Sequence, residues 1–447
     1  MKTLPRIHLI LVLFFIIKLL LAALFPVFGD EAYYYIWSLH PQLSYFDHPP
    51  MVSWLIYLTH LVLPPGHSLS LRFAFILLSY LTSLVWLKIL KEKNFSPATQ
   101  LWFFILIFLN PLLGIGSIVA TPDVPLVFFW SLSYLFFIKI LNTKSLFEYA
   151  ALGVFLGLGF CSKYHIVIFV FSGLIYLVLT QKYKVLRAGG VALTVFFGAA
   201  LSLPVIIWNM QNQWSSFLFQ INHGFGEDGF SWSWPLGYVF AQLIIINPVY
   251  AIELFKKIFH VFKTQSDAET DRVFSLSQLG FFLSSSFKSV VEGNWPLTSH
   301  LHSLAYVATQ ASKKVLYGGV AFSVFFYLLI GIFFLHPASE KVRKNLINSA
   351  QLEDLYPLIE NYKPLYGPSY QVSSLISWRT QTIVPKLRDL SRHDFYDSLP
   401  ESLPVENKFY ALKNDYSHWP EQFNKYKKTK LRVFDKTGIE LYELIHE

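Results

Sequence analysis

GDEAYYYIWSLHPQLSYFDHPPMVSW, residues Gly29 to Trp54, is the first polar text after a long apolar run, and its reading decides the fold. It concentrates Asp30, Glu31, Asp47 and His48 among Tyr33, Tyr34, Tyr35, Trp37, Tyr45, Phe46 and Trp54, with the rigid pair Pro49-Pro50 near its end. Tyr and Trp suit the headgroup level of a bilayer, so the aromatics alone describe an ordinary membrane loop. Two adjacent acids at the mouth of an apolar helix say more, because an ionisable group near hydrocarbon is costly and by default functional.

Upstream, the apolar run Ile7 to Phe28 is longer than a signal-peptide core. Phe25-Pro26-Val27-Phe28 stands where a small-residue cleavage site would lie, so the run reads as an uncleaved anchor. Lys18 sits in its middle and reads first as snorkelling to the interface or pairing with a neighbouring helix, ahead of a direct role. Downstream, further apolar runs begin near Ser70, Thr99, Val124, His165, Ala188, Leu236 and Val315, and weaker ones cover Tyr149 to Phe160, Val273 to Val290 and Leu297 to Gln310. A bilayer core of about 30 Å needs about 20 apolar residues per helix, which gives eleven expected spans. The composition agrees: 54% of the 447 residues are hydrophobic, 18% aromatic and only 14% charged, too apolar for an ordinary soluble domain.

Charge sorting orients these spans. With the N-terminus cytoplasmic, Lys2, Arg6, Lys91, Lys93, Lys139, Lys144, Lys182, Lys184, Arg187, Lys256, Lys257, Lys263, Arg272, Lys313 and Lys314 fall on one side. Residues 29–70, 117–123 and 209–235, on the other side, contain no Lys or Arg. The net charge of +8 follows from this sorting and a basic C-terminal region, so it does not argue for nucleic acid. Cys161, the only cysteine, permits no internal disulfide and no cysteine-based metal site.

Other polar islands fall on the same side as Asp30. In Thr121-Pro122-Asp123-Val124-Pro125 two prolines hold Asp123 at the start of a span, where an N-cap role and a functional one are compatible. Gly157-Leu158-Gly159-Phe160-Cys161-Ser162-Lys163-Tyr164 puts a lysine at a hairpin tip, after glycines that allow close helix packing. A polar span with Ser275, Ser277, Gln278 and Ser284 to Ser286, expected inside the bundle, leads to Lys288 and then Glu292-Gly293-Asn294-Trp295-Pro296. Trp208 to Trp234, with Asn209, His223, Glu227 and Asp228, reads as a flexible acidic and aromatic lid or a plain surface loop. Arg72 is an outward cation and a candidate for a lipid or substrate phosphate. After Leu335 ordinary soluble text begins, helix-like over Ser339 to Tyr362 and strand-like over Lys408 to Leu412, Lys430 to Phe434 and Ile439 to Ile445, with a turn at Asp435 to Gly438.

The order Asp30-Glu31, aromatics, Tyr45-Phe46-Asp47-His48-Pro49-Pro50, then Thr-Pro-Asp-x-Pro, the Lys163 motif and Glu-x-Asn-Trp-Pro resembles bacterial lipid-linked sugar transferases. These are similar to the protein mannosyltransferases and to the aminoarabinose and galacturonic acid transferases of lipid A, with the GT-C fold. The resemblance covers residues 1–335 well, and Tyr366 to Gln371 looks like the family's tail domain. It implies an α-helical polytopic GT-C protein of about 11 transmembrane helices: a catalytic membrane domain over residues 1–335, whose first extracytoplasmic loop is 29–70, and a small extracytoplasmic α/β domain over 336–447. It also implies the cytoplasmic (inner) membrane and a polyprenyl, undecaprenyl-type, phosphate sugar as donor. The acceptor would be lipid A or lipopolysaccharide, another envelope glycan or protein.

Displacing a sugar from such a carrier needs a carboxylate for the acceptor's proton and fixed cations for the departing phosphate. On the resemblance, Asp30 is the general base, Glu31 and Asp123 orient the acceptor, and Lys163, His48, Lys288 and Arg72 hold the carrier phosphate. Tyr45, Asp47, Glu292, Asn294 and Trp295 complete the sugar and acceptor pocket. No cofactor is required; a divalent metal, if used, would fall to Asp30, Glu31 and Asp123. Where many lipid A transferases carry Glu-Lys before the double proline, this chain has Asp47-His48, a weaker phosphate partner when neutral. A lipid-linked sugar flippase or a non-catalytic lipid-sugar-binding protein is the rival reading; a flippase favours charges near the midplane over charges crowded at one face.

Overall fold

The structure is a computed structural model that describes residues 3–143, 145–226, 229–256, 267–336, 349–353, 355–414, 417–434 and 437–447. Each of the eleven stretches expected to span is helical: α1 (Thr3–Leu24), α4 (Ser68–Glu92), α5 (Pro97–Leu109), α6 (Asp123–Thr143), α7 (Leu146–Ser162), α8 (Val167–Leu179), α9 (Ala188–Gln211), α11 with α12 (Ser233–Ile246 and Pro248–Phe255), α13 (Asp267–Ser285), α14 (Leu297–Gln310) and α15 (Lys313–Leu335). Among the described residues five helices are long and apolar enough to cross a bilayer alone, and α11 with α12 makes a sixth if counted as one bent span. The protein is thus a multi-pass membrane protein.

The expected span from Leu236 is broken by 104°. Pro248 has no N–H to donate and disfavours the helical conformation in the residue before it. Asn247 accordingly takes φ 85°, and its amide is compensated: Nδ2 donates to Gly319 O at 2.8 Å and Ser323 Oγ at 3.0 Å, and Oδ1 accepts from Val249 N–H.

Packing divides the chain into two compact units. The first comprises Met1–Leu19, Leu43–Met51 and Phe75–Ile330. Its core is aromatic, with Trp86, Phe103, Trp130, Tyr134 and Phe274 all buried. The glycine-rich segment of α7 lies close against α9: a Cβ on Gly157 would stand 2.5 Å from the Leu201 Cβ. The polar helix α13 is inside, as expected, with Ser275 Oγ and Ser303 Oγ 2.6 Å apart and Gln278 buried. Below the core, Asp271 of α13 accepts hydrogen bonds from Lys93 and from Tyr134 Oη and pairs with His302. This network is wholly buried and satisfied internally.

The second unit takes Leu20–Gln42, Val52–Ala74 and Gly331–Glu447, so it is wider than the tail from 336 onward. It contains α2 (Gly29–Leu39), α3 (Met51–His60, from Val52), the single turn α16 (Tyr356–Ile359), α17 (Tyr370–Thr380) and strands β1 (Leu365–Tyr366), β2 (Lys408–Asn414), β3 (Tyr426–Phe434) and β4 (Ile439–His446). The sheet order is β1-β2-β4-β3, with β1 parallel to β2 and the other pairs antiparallel. The strands expected from Lys408, Lys430 and Ile439 are present; Asp435-Lys436 of the expected turn and residues 339–348 of the expected helix lie outside the described residues. Aromatics organise this unit: Tyr33 Oη accepts from Phe395 N–H at 2.7 Å, and the Tyr35 ring meets Trp378 edge-on at 4.7 Å.

Candidate active site

In the second unit α2 opens with the acid pair. A Cβ on Gly29 would lie 2.6 Å from the Gln371 Cβ, so only glycine lets α2 approach α17 this closely. Asp30 is exposed and accepts from Tyr370 Oη at 3.1 Å. Glu31 turns inward: its Oε2 caps the helix by accepting from Phe28 N–H at 3.1 Å, and both oxygens accept from Arg72 at 2.8 and 2.6 Å. The guanidinium also donates to Ala22 O, Phe25 O and Pro26 O. Its five N–H groups are therefore all engaged, and both side chains of the pair are 0% exposed. The expectation that Arg72 holds a phosphate meets a steric and electrostatic objection here: no donor remains for one.

In the first unit the three membrane motifs converge. Asp123, at the first position of α6, accepts from Lys163 Nζ at 2.7 Å through Oδ1 and from Asn294 Nδ2 at 2.8 Å through Oδ2. Lys163 caps the C-terminal end of α7 in extended conformation, φ −160°, and a 3-10 turn, Tyr164–Ile166, follows. That break turns the lysine out of the helix and toward Asp123. The Asp123 and Lys163 side chains are 12% and 7% exposed, and the ammonium makes this one hydrogen bond among the described residues, leaving two N–H groups for a ligand. Asp123, Asn294, Thr121, Ser117, Ser79 and Lys18 line a cavity of about 150 Å³.

Around this cluster stands an aromatic wall. Trp295 lies 5.6 Å from His165, 5.4 Å from His223 and 6.0 Å from Phe282, ring centre to ring centre. His48, next to buried Asp47, is half-buried. Asp47 is buried and its carbonyl accepts from Gln220 Nε2 at 2.6 Å, while Phe46 packs on Phe219 at 4.8 Å. Tyr45 is fully buried. Gln220, Phe219 and His223 belong to α10 (Ser215–Phe225). The stretch read as a flexible lid is thus helical in this part, with Leu218 and Ile221 exposed on an apolar face, as in helices that lie at an interface. Glu227 and Asp228 lie outside the described residues.

The remaining sequence candidates stand apart. Lys288 and Glu292 are exposed, and neither forms an ion pair among the described residues. No three His, Cys, Asp or Glu side chains among the described residues gather as a metal site. Two of the three carboxylates named for a metal, Glu31 and Asp123, already accept from cations, so they do not fit that role. His165 and Gln220 escaped the sequence reading; His165 neighbours the lysine motif, but Gln220 carries no local signal.

Residues 47–208 match the model of the dolichyl-phosphate-mannose-protein mannosyltransferase family. Compared with solved structures, the chain resembles ArnT from Cupriavidus metallidurans bound to undecaprenyl phosphate, with a TM-score of 0.71 and 12% identity over 98% of both chains. The fold is GT-C. The apo state of the same ArnT gives a TM-score of 0.69 over 99% of this chain and 98% of that one. A relative by sequence is the lipid A galacturonosyltransferase RgtD of Rhizobium johnstonii, 24% identical over 278 residues, 61% of this chain. The match spans 58% of that relative's length.

Proposed function

We propose that this protein is a membrane glycosyltransferase that moves a sugar from a polyprenyl phosphate to a lipid acceptor of the lipid A type, at the extracytoplasmic face of the inner membrane. The observation that carries the reading is the cluster Asp123–Lys163–Asn294: a buried carboxylate orders a cation that keeps free donors, beside a cavity in a membrane-embedded unit. The family match, a relative that glycosylates lipid A and a structural neighbour that binds undecaprenyl phosphate support it.

The reaction is a direct displacement with inversion. An acceptor oxygen forms a bond to the anomeric carbon as the bond from that carbon to the phosphate oxygen breaks. The carrier phosphate leaves with the electron pair, and Lys163 with His48 stabilises its charge as it develops. Asp30, exposed and oriented by Tyr370, takes the proton from the acceptor. Asp123 and Asn294 hold Lys163 in place and bound the sugar pocket with Trp295. Glu31 and Arg72 form a structural brace for the start of α2 rather than part of the chemistry. The cytoplasmic N-terminus rests on the loop charges.

The test is transfer by purified protein in lipid vesicles, offering polyprenyl-phosphate sugars against nucleotide sugars, with Asp30→Asn alongside. Transfer from lipid-linked donors alone, abolished in the variant, is the expected result; normal turnover by Asp30→Asn would remove Asp30 as the base.

A further inference from the structure

The second unit holds a wide cleft that shares no residue with the candidate active site. Its volume is about 1170 Å³, and residues from 359–366, 380–385 and 400–406 wall it. That is above the range of about 300–1,000 Å³ for small-ligand pockets. Backbone chemistry opens it. Gly367 N–H donates to Pro385 O at 2.8 Å and Leu387 N–H to Gly367 O at 3.0 Å, so 385–387 runs parallel beside the outer edge of β1. The next bond of that ladder would need the N–H of residue 385, and proline has none. Pairing therefore stops at Pro385, and 382–385 and 362–366 become walls of the cleft instead.

The charges in this cleft are unspent. On the sheet and in the loop before it, Glu440, Glu443, Asp394 and Asp397 each meet a lysine. Glu360, Glu401 and Glu406 line the cleft, exposed and in no ion pair among the described residues, against one cation, Lys363. An ionised carboxylate only accepts hydrogen bonds, so the ligand must donate them through hydroxyl or ammonium groups. A phosphate or carboxylate would be repelled. Tyr366 also lines the cleft; it is 4% exposed, and its hydroxyl makes no hydrogen bond among the described residues. Burial, and then nearby Glu406, push its pKa up to about 12, so it stays a donor at neutral pH. Tyr362, set edge-on to Tyr410 at 5.1 Å, and Pro364, Pro385 and Pro400 supply rigid apolar surface. Two other ligands fit less well. β1 is two residues long and already bridged through Gly367, too short an edge to template a peptide strand. Among the described residues no three acids gather as a metal site.

We propose that this cleft binds an oligosaccharide of several units, neutral or amino-bearing and free of phosphate and carboxylate, whose hydroxyls donate to Glu401 and Glu406 and whose C–H faces lie on Tyr362. A sugar chain carries both kinds of surface, which is the mixture this lining presents. The inference goes beyond the transferase reading: it assigns the tail a binding site that takes no part in the displacement.

The experiment measures retention of neutral, amino-bearing and phosphorylated trisaccharides, and of a lysine-rich peptide, on the immobilised full-length protein in detergent. Wild type is expected to retain a neutral or amino trisaccharide over the phosphorylated one. Glu401→Ala combined with Glu406→Ala should weaken that retention at least tenfold; both residues are exposed, so the fold should tolerate the change. Tyr362→Ala should do likewise, and the double variant serves if it does not fold. Lys427→Gln, on the exposed strand β3 away from the cleft, should leave retention unchanged. Retention of no trisaccharide, preference for the phosphorylated one, stronger retention of the peptide, or equal retention by the double variant each overturns the proposal. The readout is binding alone, so a failure of sugar transfer, which would remove the transferase reading, leaves this test standing.

Discussion

Arg72 and Lys163 are both cations bonded to a carboxylate in a chain with few charges, yet the two sites differ in what remains unspent. Arg72 has five N–H groups and five acceptors, three of them backbone carbonyls, and with Glu31 is sealed from solvent. Lys163 has one hydrogen bond, to Asp123, which itself lines a cavity. Lys386 repeats the sealed pattern in the tail, its three N–H groups going to Arg392 O, Asp394 and Asp397 at 2.6 to 2.8 Å. An intramembrane or buried charge is therefore a functional candidate only once its donors have been counted; a saturated one is a brace.

The largest effect should fall on the brace. Arg72→Met leaves Glu31 buried without its partner, which costs about 3–5 kcal/mol. Thermal unfolding in detergent should show it, and adding Glu31→Gln should recover part of the loss. A stable Arg72→Met protein that specifically lost carrier-phosphate binding would reverse the comparison. Lys163→Met should act on chemistry instead, lowering transfer by about 10²–10³-fold, as for loss of one donor to a developing oxyanion. Its signature is a fall in kcat at a retained folded yield. Asn294→Ala removes one bond to the Asp123 carboxylate, worth about 1.5–3 kcal/mol; a tenfold or greater fall in kcat/KM that adds little on top of Lys163→Met would show that the two act as one unit. The smallest effect is expected at exposed Lys288, where Lys288→Ala should weaken transfer by roughly two- to fivefold, the range of an exposed charge interaction. A hundredfold loss there would restore Lys288 to the phosphate site that its motif implies.

Much of the architecture was legible because it depends on local chemistry. Each helix expected from an apolar run is present, since hydrophobic length needs no knowledge of neighbours. The break at Asn247-Pro248 was missed, although the proline that causes it was in view, because the apolar run continues through it. Helix α10 was missed for a different reason: Ser, Asn and Gly in its stretch read as loop, although Leu218 and Ile221, three residues apart, mark one apolar face of a helix. Within the candidate site, Asp123, Lys163 and Asn294 were each named from motifs, but their meeting joins positions 40 and 171 residues apart.

The sequence by itself determined that the chain is a polytopic helical membrane protein with polar islands between its spans, because transfer free energy is summed over contiguous residues. Tertiary structure alone decided which charges are spent. Glu31 and Asp123 look alike in sequence, both acids at the first turn of a helix. One is closed off by an arginine whose other donors meet carbonyls at the end of α1, and the other faces a lysine with donors to spare. A hydrogen bond is settled by ångström-scale approach between distant segments, and that approach exists only once the helices have packed.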